Sequence, residues 1–361
     1  MKKAATTYIF ALALTAVAVS SCRKDAPVQA GDAISFCAET SAAENAATRA
    51  TKTVASNLTA DSFGVYAVYS GTNGGSSATQ VFDNSSPLEV KYQTITNDDG
   101  TTSENWAYAD RTGTDKRYLW KRDQYYRFRA YHPYTASVET GGSSADGILI
   151  NYRIVEDQYD LLVAFSTRCP MYDSEGTNRV PMQFHHALSA LRFRVAFQNS
   201  VDEGTTDVLT EFHITGVMAA GMLKYTHTVD DYLKEALSWS SDAFDSTHEF
   251  YRSTTSRTFG VYNPDKPDVS IEPVDVYGSS DADNVVFAIP QTCSNPQYGN
   301  TVIHFKTTGG GDVDNTAVLP SIKWEAGKIY TYTLLIKRSS VQVVVSIKDW
   351  NEVESTVDIN I

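Results

Sequence analysis

His185 and His186 stand side by side in FHHALSALRFRV, and two imidazoles could begin a metal site. In a strand, neighbours point to opposite faces, so this pair cannot close on one ion as an i, i+4 helical pair does. The spacing predicts one buried, hydrogen-bonded ring and one exposed ring. His132, beside Pro133 in AYHPY, reads as core packing. Asp281 and Asp283 in SSDADNVV, and Asp312 and Asp314 in GGGDVDNT, are spaced like the opening of a calcium loop. Both runs lack the glycine and the distal glutamate of an EF-hand and read as solvated hairpin tips. There is no GxSxG or HExxH. Triads are recognised by geometry and not by sequence order, and nothing in the sequence argues for one. The expectation is therefore no enzyme, no metal and no cofactor.

The run KRYLWKRDQYYRFRAY mixes bases with aromatics, the residue types of a nucleic-acid stacking surface. Alternation accounts for it better. Arg127 and Arg129 share one face and Tyr126, Phe128 and Ala130 the other, which makes a half-buried strand. The formal net charge of −13 also argues against nucleic acid as a partner.

Two positions remain where chemistry is done to the chain. The four cysteines are Cys22, Cys37, Cys169 and Cys293, with no close spacing and no zinc pattern. A Cys169–Cys293 bridge is open in an oxidising compartment. Cys22 has a context of its own. Lys2 and Lys3 are followed by an apolar run over residues 8–19, too short for the roughly 20 residues of a bilayer span, and Ser20 and Ser21 lead into the cysteine. This is the layout of a secretory signal. It resembles a bacterial lipobox, which implies that Cys22 becomes the N-terminus and carries lipid such as palmitate. Acyl chains supply about 0.8 kcal/mol per buried methylene, so multiple acylation anchors stably. The second position is Arg49, the only basic residue between Lys24 and Lys52, in the small polar stretch SAAENAATRATKT. Such stretches are preferred sites of proteolytic nicking.

The elements around these positions read as strands. Period-2 runs of β-branched and aromatic residues, such as SFGVYAVY, LRFRVAFQ, KIYTYTLLIKR and SVQVVVSIKDW, are separated by Gly, Ser, Asn and Asp clusters. In AISFCA, Ile34, Phe36 and Ala38 share the inward face. Trp324 and Gly327 precede a strand as packing anchor and tight turn. The helix exception is VDDYLKEALSW, 229–239, with Asp230 and Asp231 at its start and Leu233, Ala236 and Leu237 facing inward. Many short strands with polar turns predict an all-β protein of β-sandwiches with few short helices. The polar stretch 198–207 divides the chain into domains 50–198 and 199–361.

The lipobox, ISFCAET, TRA, FRAYHPY, DLLVA, FHHALSALRFRV and WEAGKIYTYTLLIKRSSVQVVVSIKDWNEVE, in that order, resemble the fimbrillin-like proteins of Bacteroidetes, the subunits of type V pili. The resemblance spans nearly the whole chain after the signal. It implies two tandem transthyretin-like sandwiches, a signal peptide over 1–21 and a lipidated propeptide over 22–49 that carries the first strand. It implies a protease cut between Arg49 and Ala50. Loss of the Ile34, Phe36, Ala38 strand then opens a groove that a neighbouring subunit fills by strand addition, with a stalk, tip or anchor role in adhesion. Two donor segments are open, 340–347 and 355–361. The latter carries Val357, Ile359 and Ile361 on one face. Both could instead complete the chain's own sheet. The implied partners are other pilus subunits, the outer membrane through the lipid, and a host or bacterial surface receptor. The implied location is the cell outer membrane and the fimbrium. The alternative is a lipid-anchored adhesin or glycan-binding protein that never polymerises, with aromatics such as Trp106 stacking on sugars.

Overall fold

The computed structural model describes residues 33–40, 58–71, 78–82, 87–96, 100–108, 118–134, 139–140, 148–154, 159–168, 179–198, 207–227, 235–245, 248–259, 261–262, 273–277, 285–295, 299–308, 314–336 and 340–349. Every named element among them is a strand. The strands of six residues or more are β1 (Ser35–Thr40), β2 (Phe63–Ser70), β3 (Leu88–Thr96), β4 (Thr102–Tyr108), β5 (Tyr125–His132), β6 (Ile148–Arg153), β7 (Leu162–Arg168) and β8 (Arg179–His186). They continue as β9 (Ser189–Gln198), β10 (Asp207–Thr215), β11 (Val217–His227), β12 (Glu235–Asp245), β13 (Val302–Thr307), β14 (Lys328–Ile336) and β15 (Val341–Asp349).

The first sheet closes on itself. Its order is β2-β3-β4-β1-β8-β7-β5, and β5 pairs back onto β2 over seven residues, Gly64↔Tyr131 to Ser70↔Tyr125. A closed sheet has no free edge to offer a foreign strand. The ring is filled by aromatic and aliphatic side chains, Phe36, Phe63, Trp106, Phe128, Met182 and Phe184 among them. The later strands form open sheets. β9 pairs parallel with β14, and β14 antiparallel with β15. β10 pairs with β13, and β11 lies between β12 and β6. Their second core holds Phe193, Phe212, Phe287, Trp324 and Tyr332. β6 belongs to this second core although it precedes β7 and β8 in the chain: Ile148, Ile150 and Tyr152 are all buried there.

One wall of the ring is shared by both cores. Leu162 and Ala164 on β7 face the ring interior, while Leu161, Val163, Tyr66 and Tyr131 belong to the second core. This corrects the expectation of a half-buried strand at β5. Arg127 and Arg129 lie on the Tyr131 face and are buried too, at 5% and 2% exposure, with the Arg129 guanidinium 5.9 Å from the Phe165 ring centre. Alternation showed two faces. It did not show that a second body covers the outer one.

The helix expected over 229–239 is also corrected where it is described. Residues 235–245 are β12, in antiparallel register with β11 through Leu237↔Tyr225 and Trp239↔Leu223. The local period is two: Leu237 and Trp239 are half-buried, Ser238 and Ser240 exposed. Trp239 Nε1 donates to the Ala187 carbonyl at 2.9 Å. Asp230, Asp231 and Leu233 lie outside the described residues. Trp324 is fully buried and donates to the Tyr332 hydroxyl at 2.7 Å, and Gly327 turns the chain at φ +73°.

At the end of the shared wall, His132 is 2% exposed and neither ring nitrogen has a hydrogen-bond partner among the described residues. Burial pushes its pKa down to about 4, with Asp61 and Asp160 opposing. The unfolded chain takes up this proton near pH 6.5 and the folded chain only near 4, so stability is lost as pH falls between those values. The loss from this one group should approach about 3 kcal/mol at pH 4. Urea midpoints of wild type and His132→Asn measured from pH 7 to 4 should show a shallower acid slope in the variant. Equal slopes would remove His132 from the acid limb.

Candidate functional site: the seat of the first strand

β1 is the stave that closes the ring, and its two edges are held unequally. Along β8 it runs parallel for six residue pairs, Ser35↔Arg179 to Thr40↔Phe184. Along β4 it makes a single antiparallel pair, Phe36↔Trp106. Just before the strand, the Ile34 N–H donates to the Tyr118 carbonyl at 2.7 Å, and Ala33 bridges to Leu119. The Tyr108 hydroxyl donates to the Ile34 carbonyl.

The side chains follow the expected alternation. Ile34, Phe36 and Ala38 are 1%, 1% and 8% exposed. Phe36 sits in an aromatic box, edge-on to Phe63 and Tyr108 at 6.2 Å each and to Phe128 at 5.9 Å. Phe63 in turn rests on Trp106 at 5.0 Å and Phe184 at 5.3 Å. Burying Ile34 and Phe36 contributes roughly 1.5–3 kcal/mol each. Edge-on aromatic pairs add roughly 0.5–1.5 kcal/mol apiece. A vacated seat would therefore expose an apolar trough and the backbone edge of β8. That is the geometry of strand addition, with main-chain bonds for affinity and alternate pockets for specificity.

Of the other residues singled out in the sequence, Cys22, Arg49, Ala50, Val357, Ile359 and Ile361 lie outside the described residues, as do Asp281, Asp283 and Asp312. The segment 340–347 is built into the chain's own sheet: β15 pairs with β14 over nine residues, and Val345 is fully buried. Trp106 lines the core at 5% exposure and offers no face to a sugar. Sequence reasoning missed Tyr108, Tyr118 and Phe128, whose part in the seat comes from non-local contacts that no local pattern reports.

The cysteines remove a pairing that the sequence left open. Cys293 is a free thiol, fully buried in the second core with Sγ 3.8 Å from the Tyr332 hydroxyl, and burial pushes its pKa up to about 12. A Cys169–Cys293 bridge is thus not formed. Cys37 is disulfide-bonded. It lies on the face of β1 opposite Phe36 and is 3% exposed.

The histidines behave structurally. His186 is buried with Nδ1 2.9 Å from Asp160 Oδ1, while His185 is exposed. The His186–Asp160 pair has the geometry that orients a catalytic imidazole, but both side chains are at most 2% exposed and so shut away from a substrate. His213 and His304 stack at 4.7 Å; Glu211 and Glu249 lie within 4 Å of the first ring, and Asp314 is 3.1 Å from the second. No group of three or more His, Cys, Asp or Glu suited to a metal occurs among the described residues.

A fimbrillin-like family model matches residues 48–350. A fimbrial protein from Bacteroides vulgatus is similar in structure, with a TM-score of 0.54 and 16% identity over 88% of this chain and 99% of that one. A protein from Bacteroides ovatus ascribed to cell adhesion gives a TM-score of 0.44 and 16% identity over 82% and 88% of the two chains. Another so ascribed, from Bacteroides uniformis, gives 0.44 and 15% over 88% and 98%. Curated proteins give no match. The family model covers well over half of the chain, and the chain belongs to the fimbrillin-like family.

Proposed function

We propose that the chain is a structural subunit of a type V fimbria, in a stalk, tip or anchor position, serving adhesion. In this reading it is exported as a lipoprotein through Cys22, reaches the outer-membrane surface, and is cut between Arg49 and Ala50. The cut separates β1 from the rest of the backbone, and a strand from a neighbouring subunit takes its seat. The tandem transthyretin-like sandwich arrangement belongs to the same reading. The observation that carries it is the way β1 is held: an apolar, alternating strand deep in the ring, joined to β4 by one residue pair.

The donor is the segment 355–361. β15 is already committed to β14, which leaves this segment as the remaining C-terminal candidate. Val357, Ile359 and Ile361 repeat the two-residue spacing of Ile34, Phe36 and Ala38. The eleven residues after Trp350 reach about 36 Å when extended, against about 20 Å for a six-residue strand. The competing reading, a glycan-binding adhesin that never polymerises, loses its candidate platform because Trp106 is buried.

Three results test this. N-terminal sequencing of the surface form should find Ala50 in wild type and lipidated Cys22 in Arg49→Ala, with stability changed by no more than about 0.5 kcal/mol; an Ala50 start in both would remove Arg49 from processing. Deleting 355–361 should give folded, cleaved monomers that form no detergent-resistant ladder on unheated gels, and a persisting ladder would eliminate that donor. Phe36→Ala should cost the uncut chain about 3–5 kcal/mol in urea unfolding and leave the polymerised chain, whose seat holds another strand, unchanged. A loss carried into the polymer would mean that β1 never leaves.

A further inference from the structure

The pocket that takes Phe36 is made of rings, and its walls are held from behind. Phe63, Tyr108 and Phe128 stand edge-on to Phe36 at 6.2, 6.2 and 5.9 Å. Each of the three is backed by further aromatics. Phe63 rests on Trp106 and Phe184, Tyr108 on Tyr118 at 5.8 Å, and Phe128 on Trp120 and Tyr126 at 5.9 Å each. Phe63 and Phe128 are fully buried. The cost of a smaller occupant depends on how far the surroundings can collapse onto it. Walls packed on both sides collapse little. Along β1 the inward positions hold an aliphatic, an aromatic and a small side chain, Ile34, Phe36 and Ala38.

We propose that this pocket selects the incoming strand by a central aromatic side chain, so that the strand it accepts comes from an unlike polypeptide and not from a second copy of this chain. The proposal rests on the strand replacement described above. The chain's own donor segment lacks the selected feature. Residues 351–361, NEVESTVDINI, contain no aromatic. Val357, Ile359 and Ile361 share one face of an extended segment, and Ile359 is central whichever way the strand runs. In the pocket, an isoleucine faces three rings with no ring of its own and fills less volume than phenylalanine. Three edge-on pairs are lost together, which weakens capture by about tenfold or more.

The backbone does not make this distinction. The edge of β8 offers its six pairs to a strand of any sequence. Main-chain bonds supply affinity and the pocket supplies discrimination. A copy of this chain therefore seats poorly on another copy, while its segment 355–361 fits a neighbour whose central pocket is aliphatic. The subunit belongs at a junction between unlike subunits, accepting from one kind and donating to another.

The experiment uses the full chain, cut with an arginine-specific protease in dithiothreitol so that the Cys37 disulfide does not retain β1. Fluorescent peptides are present during the cut, and peptide retained by the body is read after gel filtration. The probes are residues 31–40 with Cys37→Ser, the same with Phe36→Ile added, residues 351–361, and the same with Ile359→Phe. Phe36→Ile should lower capture, and Ile359→Phe raise it, by about tenfold or more; capture within about threefold in either pair overturns the inference. Purified wild type cut alone should stay monomeric on unheated gels, and the Ile359→Phe chain should form a ladder. A wild-type ladder as long as the variant's overturns the inference. In the uncut chain, Phe36→Ile should lower the folding constant in urea by about tenfold or more. An unchanged constant means that the pocket is indifferent to the ring, and the inference falls. Uptake of none of the peptides overturns strand replacement itself, whereas uptake without selectivity overturns only the choice of partner.

Discussion

The ring is closed through β1, with Phe36 at the centre of the contact. Six backbone pairs hold β1 to β8, but one pair joins it to β4, so closure on that side depends on side chains. Phe36 touches rings from β2, β4 and β5 at once. It thus ties together strands that hydrogen bonding alone joins only around the ring. A sheet closed in this way presents no edge, so the ring strands are not open to the edge-to-edge association that open strands invite. The same arrangement concentrates the cost of opening in one strand.

The wall shared by the two cores is made by β2, β5 and β7. This wall lies away from β1 in the ring order and is buried on both faces, by the ring interior and by the second core. Arg127, Arg129, His132, Asp160 and His186 are enclosed along it. Buried charge is weak evidence of stability. The wall is thus buried on both faces, while β1 is held by its ladder with β8 on one side and by one backbone pair and packing on the other.

Much of this was legible in the sequence, for a physical reason. Alternation is local, so the inward set Ile34, Phe36 and Ala38, the opposed faces of His185 and His186, and the packing role of Trp324 could all be read from spacing. What could not be read depends on partners distant in the chain. Asp230 and Asp231 before Leu233 carry the local marks of a helix start, while the ladder that makes 235–245 a strand is supplied by β11. Arg127 and Arg129 look solvated until the second core is laid over them. Four cysteines allow three complete pairings, and sequence does not choose among them. The seat itself was half legible: the strand that fills it, but not Tyr108, Tyr118 or Phe128, which receive it.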